Sequence, residues 1–179
     1  MLLRNYYKAV ALFMEGSSSS TKIMFKSYGG NDLAPGNYDT CIRYLTPTKG
    51  SASAIASMGS IKTTLMSSSA GIIIGTGDTP PTFDDYCLAG NMITTISSSV
   101  ATSFECDDSG ASVTALCTIT NSDDKAFTIR EVGLYGKAKG NNYDSDAVLV
   151  ERTVLDSPLT IEAGSVGQLT YTIKLNYPT

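Results

Sequence analysis

The 179-residue sequence contains no histidine and no tryptophan. Without histidine, the chain lacks the commonest general base, the usual Ser-His and Cys-His pairs and the favoured zinc ligand. Without tryptophan, it lacks one of the aromatic side chains on which sugar rings stack, although ten tyrosines leave a carbohydrate site open. The two absences therefore count against a hydrolase, and they weaken a sugar-binding role without removing it.

Charge is also scarce, since Asp, Glu, Lys and Arg make up 17% of the chain, below the usual quarter. The formal net charge is −4, and the basic residues form no cluster. Nucleic-acid binding and attachment to an anionic membrane surface both require basic clusters, so neither partner is predicted. A charge-poor surface suits a protein that packs against other copies of itself and neighbouring subunits, and the alternative is a neutral surface without further consequence.

The cysteines do not have the Cys-x-x-Cys spacing of a zinc ribbon or a thioredoxin-like motif: Cys41, Cys87, Cys106 and Cys117. Cys117 alternates with Ala115 and Ile119, which predicts a small side chain in the core. Cys106 and Cys117 flank a predicted turn and could face each other across a hairpin. Nothing in the sequence indicates an oxidising compartment, so a disulfide between them is not favoured.

Residues 2–14 are predicted to form a short helix, because apolar side chains recur at a spacing of three to four before Gly16. This helix either packs on its own domain or docks on a neighbouring subunit, and the sequence leaves both open. In the second case the interface candidates are Leu3, Tyr6, Tyr7, Val10 and Phe13. The apolar run at 9–14 is too short for a signal-peptide core or a membrane span, so we expect synthesis in a cytoplasm, with any release by lysis.

Residues 16–70 have a different texture, with two serine runs and several turn signals between short strand candidates at 22–25, 40–45 and 61–66. Such a segment is flexible on its own, so we expect contacts with other subunits to hold it. Docking on its own domain is the alternative. The predicted organisation is therefore a helix and an extended Ser-rich assembly arm over 1–70, followed by a β-rich domain over 71–179.

The second region reads as a series of strands separated by turns. The predicted strands are 71–75, 91–104, 111–120, 127–135, 148–155, 159–162 and 167–177, with turns at 107–110, 121–125, 136–146, 156–158 and 163–165. The last strand alternates apolar Leu169 and Tyr171 with polar Thr170 and Thr172, which indicates one dry face and one wet face. This spacing predicts a mostly β fold, an antiparallel β-sandwich of jelly-roll or Ig-like type.

Three groups of residues resemble ligand sites and are interpreted as structural. The Gly75-Thr76-Gly77 sequence lacks the third glycine of a dinucleotide loop and the lysine of a P-loop, and Pro80-Pro81 follows it, so a turn is predicted. After this turn, residues 82–86 are predicted to form one helical turn with Thr82 as its N-cap. Paired carboxylates on turns do not face each other across a cleft: Asp84 and Asp85, Asp107 and Asp108, Asp123 and Asp124, Asp144 and Asp146. Residues 141–146 are rich enough in oxygen for a weak calcium site but lack EF-hand spacing, so no metal or cofactor is predicted.

Glu131 lies inside a predicted strand, next to Arg130. If it shares a face with Phe127 and Ile129, its carboxylate is half-buried, unless a bulge intervenes. Pairing with Arg152 on a nearby strand is the structural interpretation, and no other catalytic group assembles around Glu131. No catalytic residue is predicted.

Four segments of the second region form a recognisable set: Ile74–Thr82 with Asp85-Tyr86 and Leu88, Ile129–Tyr135, Leu149–Val154, and Leu159–Gly164 leading into the last strand. Through these segments, residues 72–177 resemble a family of tailed-bacteriophage virion structural proteins. The resemblance covers about three-fifths of the chain, and the first seventy residues take no part in it. The resemblance implies a virion structural role of tail, collar or fibre-attachment type and no enzymatic activity. Capsid decoration, as in a head fibre, is the next alternative, followed by a carbohydrate-binding adhesion module with weak contact to host glycans.

Overall fold

The computed structural model describes residues 1, 3–7, 25–33, 71–107, 110–139 and 145–176. Residues 4–7 are helical, which agrees with the predicted helix as far as the described residues reach. Within the described ranges the chain has eight strands, in this order: β1 (Phe25–Lys26), β2 (Asp32–Leu33), β3 (Gly71–Gly75), β4 (Ile96–Asp107), β5 (Gly110–Asn121), β6 (Phe127–Lys139), β7 (Ser145–Ile161) and β8 (Val166–Asn176). The prediction of a mostly β chain is confirmed.

The strands form two three-stranded antiparallel sheets and one small hairpin. Sheet I has the order β3-β6-β7, sheet II has the order β4-β5-β8, and β1 pairs with β2. The chain crosses between the two sheets after β3, after β5 and after β7. Gly164, with a φ of 68°, forms part of the tight turn that leads from β7 into β8, where a left-handed residue is required.

One hydrophobic core contains residues of both sheets, which therefore pack against each other. Sheet I contributes Ile72, Ile74 and Val132, and sheet II contributes Ile119 and Leu169. Each fully buried aliphatic side chain stabilises the fold by about 1.5–3 kcal/mol relative to an exposed one. The alternation predicted for the last strand is confirmed at Leu169 to Lys174, the positions at which the side chains are described.

The prediction for Cys117 is also confirmed. Its side chain is fully buried in this shared core. Burial raises the pKa of the thiol to about 11, as expected for a small hydrophobic side chain away from water.

A second core lies on the opposite face of sheet I. It contains Leu3, Ile73, Leu88, Tyr135 and Leu149, so it joins the N-terminal residues and the loop at 76–92 to sheet I. Sheet I is therefore covered on both faces. This explains why β3 is an uninterrupted apolar run, since its alternate side chains enter two different cores.

The end predicted for the strand at 148–155 and the start predicted for the strand at 159–162 are both wrong. The predicted turn at 156–158 lies inside β7, which runs without interruption from Ser145 to Ile161. Ile129 lies opposite Leu159, whereas Glu131 lies opposite Val154, so β7 advances five residues where β6 advances two. The extra residues form a bulge in β7, and Pro158 is tolerated there because the regular ladder is interrupted.

The hairpin between β4 and β5 excludes a Cys106–Cys117 disulfide. Cys106 lies opposite Ala111, and Cys117 lies opposite Val100. The two cysteines are therefore offset by six residues along the ladder, about 20 Å, whereas a disulfide requires Cα atoms within about 7 Å. Both flank the predicted turn, but only residues at equal distances from a hairpin turn face each other.

Candidate functional site

Glu131 occupies the position in β6 where the ladder is irregular. Ile129 and Val132 both enter the shared core, so the strand changes its facing between them. Glu131 is consequently turned to the opposite face of sheet I, beneath the loop at 76–92, and it is completely buried there. The bulge that the sequence allowed as an alternative is present. It moves the carboxylate to the face of sheet I opposite Ile129, where it is still buried.

The Glu131 carboxylate accepts four hydrogen bonds from residues that the structure describes. The guanidinium Nε of Arg152 donates one at 2.7 Å. The other three come from backbone N–H groups of the loop: Gly77 at 2.9 Å, Ala89 at 3.0 Å and Gly90 at 2.8 Å. A buried carboxylate is stable only when it is paired and hydrogen-bonded in this way.

Arg152 on β7 provides the positive charge and is 1% exposed. It lies opposite Gly133, two residues along β6 from Glu131, and a cross-strand diagonal of this length lies within reach of a long side chain. Besides Glu131, its guanidinium donates to Asp85 Oδ2 and to the Thr79 carbonyl, each at 2.8 Å. The predicted pairing of Glu131 with Arg152 is confirmed. We refer to Asp85, Glu131 and Arg152 as the ionic cluster.

Two glycines allow the loop to approach the carboxylate. A Cβ added to Gly77 would lie 2.5 Å from Oε1 of Glu131 and from the backbone N of Gly90. A Cβ added to Gly90 would lie 2.3 Å from the backbone N of Gly77. Both distances are below van der Waals contact, so glycine is required where the two backbones meet the carboxylate.

The electrostatics keep all three groups of the ionic cluster charged. Burial raises the pKa of Glu131, but the hydrogen bonds from Arg152 and from the loop N–H groups outweigh it, so the pKa lies below its ordinary value. Burial likewise raises the pKa of Asp85, but hydrogen bonds from Thr82 and Arg152 outweigh it, so this pKa also lies below its ordinary value. Burial lowers the pKa of Arg152, but its two carboxylate partners raise it by more, so the pKa lies above its ordinary value. None of these groups is poised to exchange a proton near neutral pH.

Asp85 is the member of the cluster that sequence reasoning missed. Residues 82–85 form a hydrogen-bonded turn and not the predicted helical turn, with the Asp85 N–H donating to the Thr82 carbonyl. The Asp85 carboxylate accepts from the Thr82 N–H at 3.0 Å and from the Thr82 hydroxyl at 2.6 Å. The Thr-x-x-Asp spacing indicates a local cap, but nothing local indicates that Arg152 completes it.

The N-terminal residues lie along the outer edge of β7. Leu3 N–H donates to the Val150 carbonyl at 2.9 Å, and Arg152 N–H donates to the Met1 carbonyl at 3.2 Å. The Met1 ammonium donates to the Arg152 carbonyl at 2.7 Å and to the carboxylate of Glu151. Burial raises the pKa of Glu151, and its hydrogen bonds to the ammonium and to Thr153 oppose the rise.

The predicted interface residues differ in how far their side chains are exposed. Leu3 is completely buried in the second core, so its side chain is not available to a neighbouring subunit, and this candidate is corrected. Tyr6 is half-buried and Tyr7 is 51% exposed, so both remain candidates. Val10 and Phe13 lie outside the described residues.

Tyr7 belongs to an exposed aromatic surface. Its ring centroid is 5.7 Å from that of Phe83, which is 43% exposed, and 5.5 Å from that of Tyr6. The Arg4 guanidinium lies 4.8 Å from the centroid of the Phe83 ring and pairs with Asp84. We refer to Arg4, Tyr6, Tyr7 and Phe83 as the aromatic patch. The patch lies on the N-terminal residues and on the loop that the ionic cluster holds in place.

The calcium alternative considered for residues 141–146 falls mostly outside the described ranges. No group of three or more metal-ligating side chains is found within the described ranges, and residues 141–144 of the calcium candidate lie outside them. Within the same ranges, no helix has the length and apolar character needed to cross a membrane. Comparison with known protein families, characterised proteins and solved structures gives no match for this chain.

Proposed function

We propose that the chain is a structural subunit of a tailed-phage virion that acts through contacts with other subunits. The observation that supports this most strongly is that the segments carrying the resemblance to virion proteins are those that build the ionic cluster. Thr79 and Asp85 come from the first segment, Glu131 from the second and Arg152 from the third. The resemblance therefore falls on one three-dimensional unit and not on scattered turns.

The chemistry of this unit favours a structural role over a catalytic one. The Glu131 carboxylate and the Arg152 guanidinium are buried and satisfied by the protein itself, so neither is presented to a substrate. A charge network of this kind holds the loop at 76–92 on sheet I. The loop in turn presents Phe83 to solvent, beside Tyr7 of the N-terminal residues.

The finer architecture that fits this role is a β-sandwich. Sheets I and II share one core, and both are antiparallel, which is the arrangement of two packed sheets with a rigid interior. A rigid body of this kind, with a contact surface at the N-terminal end, suits a component repeated in a tail, a collar or a fibre attachment. Aromatic residues are enriched at subunit interfaces, which favours the aromatic patch as that contact surface.

The assembly role is tested on purified particles of a phage that encodes this chain. Quantitative mass spectrometry is expected to find the chain at a fixed ratio to the other virion proteins. A variant carrying Tyr7→Ser and Phe83→Ser is expected to lose incorporation by about tenfold or more, because interface aromatics often contribute about 2 kcal/mol or more each. Val166→Ser is the matched control, since Val166 is 60% exposed and lies at the start of β8. Particles without the chain would contradict the proposal.

The alternatives predict different outcomes for the same particles. Immunogold labelling on the tail or collar supports the first choice, whereas labelling on the head favours capsid decoration. A carbohydrate-binding module would use the exposed rings of Tyr7 and Phe83 with Asp84 beside them, which is a combination of stacking surface and hydrogen-bonding group. Glycan-array binding that the double serine variant abolishes would favour that module over subunit contact.

A further inference from the structure

The outer strands of the two sheets differ in the backbone contacts along their outer edges. On sheet I, the β7 edge receives hydrogen bonds from the backbones of Leu3 and Tyr28. The β3 edge is bridged by Met92, with the Ile93 N–H donating to the Ile74 carbonyl at 2.9 Å. On sheet II, β4 and β8 are the outer strands among the described residues.

Strand β4 is the least protected of the outer strands. It has 12 residues and contains no lysine, arginine or proline, which are residues that block pairing at an exposed edge. Its only charged residues are Glu105 and Asp107, both at its C-terminal end. The other outer strand of sheet II, β8, carries Lys174, whose side chain is exposed.

The side chains of β4 are also poorly covered. Those of residues 98, 99 and 101–105 are exposed on both faces of the sheet, and Val100 is half-buried. Phe104 shares its face with Val100, which packs on the shared core, yet Phe104 is 55% exposed. Within the part of the chain that the structure describes, β5 is the only strand that pairs with β4. An outer strand with side chains exposed on both faces, including an aromatic one, has the features of a strand that pairs with another chain.

We propose that β4 is a self-association edge, and that the β4 strands of two copies pair antiparallel about a two-fold axis at Thr102. Pairing of this kind makes a closed dimer with one continuous six-stranded sheet, three strands from each copy. Residues that face each other across an antiparallel pair lie on the same side of the sheet. An axis at Thr102 therefore places Phe104 of one copy opposite Val100 of the other.

This register is favoured by packing and by charge. The Phe104–Val100 pair is an aromatic and β-branched pair, a favourable cross-strand combination, and it would cover the exposed ring. Glu105 would face Ser99 of the other copy, so the acidic ends of the two strands lie at opposite ends of the ladder. A parallel pairing in register would instead bring the two Glu105 side chains together, which is unfavourable.

The first test measures self-association of the purified chain in solution. Sedimentation velocity is expected to show a concentration-dependent dimer, and Thr102→Lys is expected to raise its dissociation constant by about tenfold or more, because two lysines would meet at the axis. Thr170→Lys is the matched control, an exposed threonine of β8, and should leave the dimer unchanged. Circular dichroism checks that both variants are folded.

The second test traps the register. In a Cys106→Ser background, Thr102→Cys is expected to give a covalent dimer on mild oxidation, because the two cysteines lie opposite each other at the axis. Thr170→Cys in the same background should remain monomeric under denaturing, non-reducing electrophoresis. Cross-linking through position 170 and not through position 102 would overturn the inference.

The inference rests on the assembly role proposed above, but its test needs no virion. A chain that stays monomeric at millimolar concentration, or whose dimer is indifferent to Thr102→Lys, removes the β4 pairing and leaves the assembly role to be decided on particles. A chain that dimerises as expected but is absent from purified particles keeps the edge pairing and removes the virion role.

Discussion

Sheets I and II are similar in size and topology but are stabilised by different means. Sheet I is buried on both faces, its two outer strands are contacted by other described backbone, and the ionic cluster holds a loop against it. Sheet II contributes one face to the shared core, mainly through β5 and β8, and its other face is mostly Ser and Thr, with an exposed Leu116. Both sheets contribute to the shared core, but sheet I is held on both faces by other parts of the chain, whereas most side chains on the outer face of sheet II are exposed.

The largest expected effect comes from breaking the ionic cluster. Arg152→Met leaves Glu131 buried and without its positive partner, and this should reduce the free energy of unfolding by about 3–5 kcal/mol. Arg130→Met is the matched control, since Arg130 neighbours Glu131 on β6 but is only half-buried. Urea denaturation measures both, and a loss for Arg152→Met no larger than that of the control would contradict a stabilising role for the cluster.

The double variant Glu131→Leu, Arg152→Met sharpens this result. Removing both charges eliminates the unpaired buried carboxylate, so part of the stability lost in Arg152→Met should return. The loop N–H groups of Gly77, Ala89 and Gly90 then lose their acceptor, which limits the recovery.

A smaller effect is expected from acid. The folded-state pKa values of Glu131 and Asp85 are lowered, so their contribution to stability is complete above the ordinary values of about 4 and is lost as pH falls through the folded values. The melting temperature followed by circular dichroism should therefore fall between about pH 5 and pH 2. The Glu131→Leu, Arg152→Met variant should lose less over the same interval, and an equal loss would assign acid sensitivity to other groups.

The smallest effect is expected on the outer face of sheet II. Thr172→Ala removes an exposed hydrogen bond of 3.1 Å to Thr114, and it should change the free energy of unfolding by no more than about 0.5 kcal/mol. Its inward-facing neighbour Tyr171, 5% exposed, is the contrast, because Tyr171→Ala should cost several kcal/mol. Equal losses at the two positions would remove the distinction between the faces.

Much of this fold follows from local pattern. The alternation from Leu169 to Lys174 and the apolar run of β3 identify strands because side-chain direction alternates with a fixed period. The Glu131–Arg152 pairing could also be predicted from the sequence, since a charged side chain of each sign within apolar strands requires a partner.

The remainder depends on geometry that local pattern does not contain. The bulge near Pro158 changes the facing of Glu131, and its position is fixed by how β6 and β7 pair. The participation of Asp85 depends on a loop folding back over sheet I, 67 residues before Arg152 in sequence. The offset of Cys106 from Cys117 follows from the hairpin register, which flanking residues alone do not determine.

The long sequence separations within the ionic cluster also constrain how the protein folds. Arg152 binds Glu131 across 21 residues, Asp85 across 67 and the Thr79 carbonyl across 73, and its own carbonyl accepts from the Met1 ammonium across 151. Contacts between residues so far apart in sequence form slowly, because a long segment of chain loses conformational entropy before the contact stabilises it. During synthesis, β3, β4, β5 and β6 emerge before Arg152 is available, so the loop and the N-terminal residues acquire their final positions only after β7 has left the ribosome.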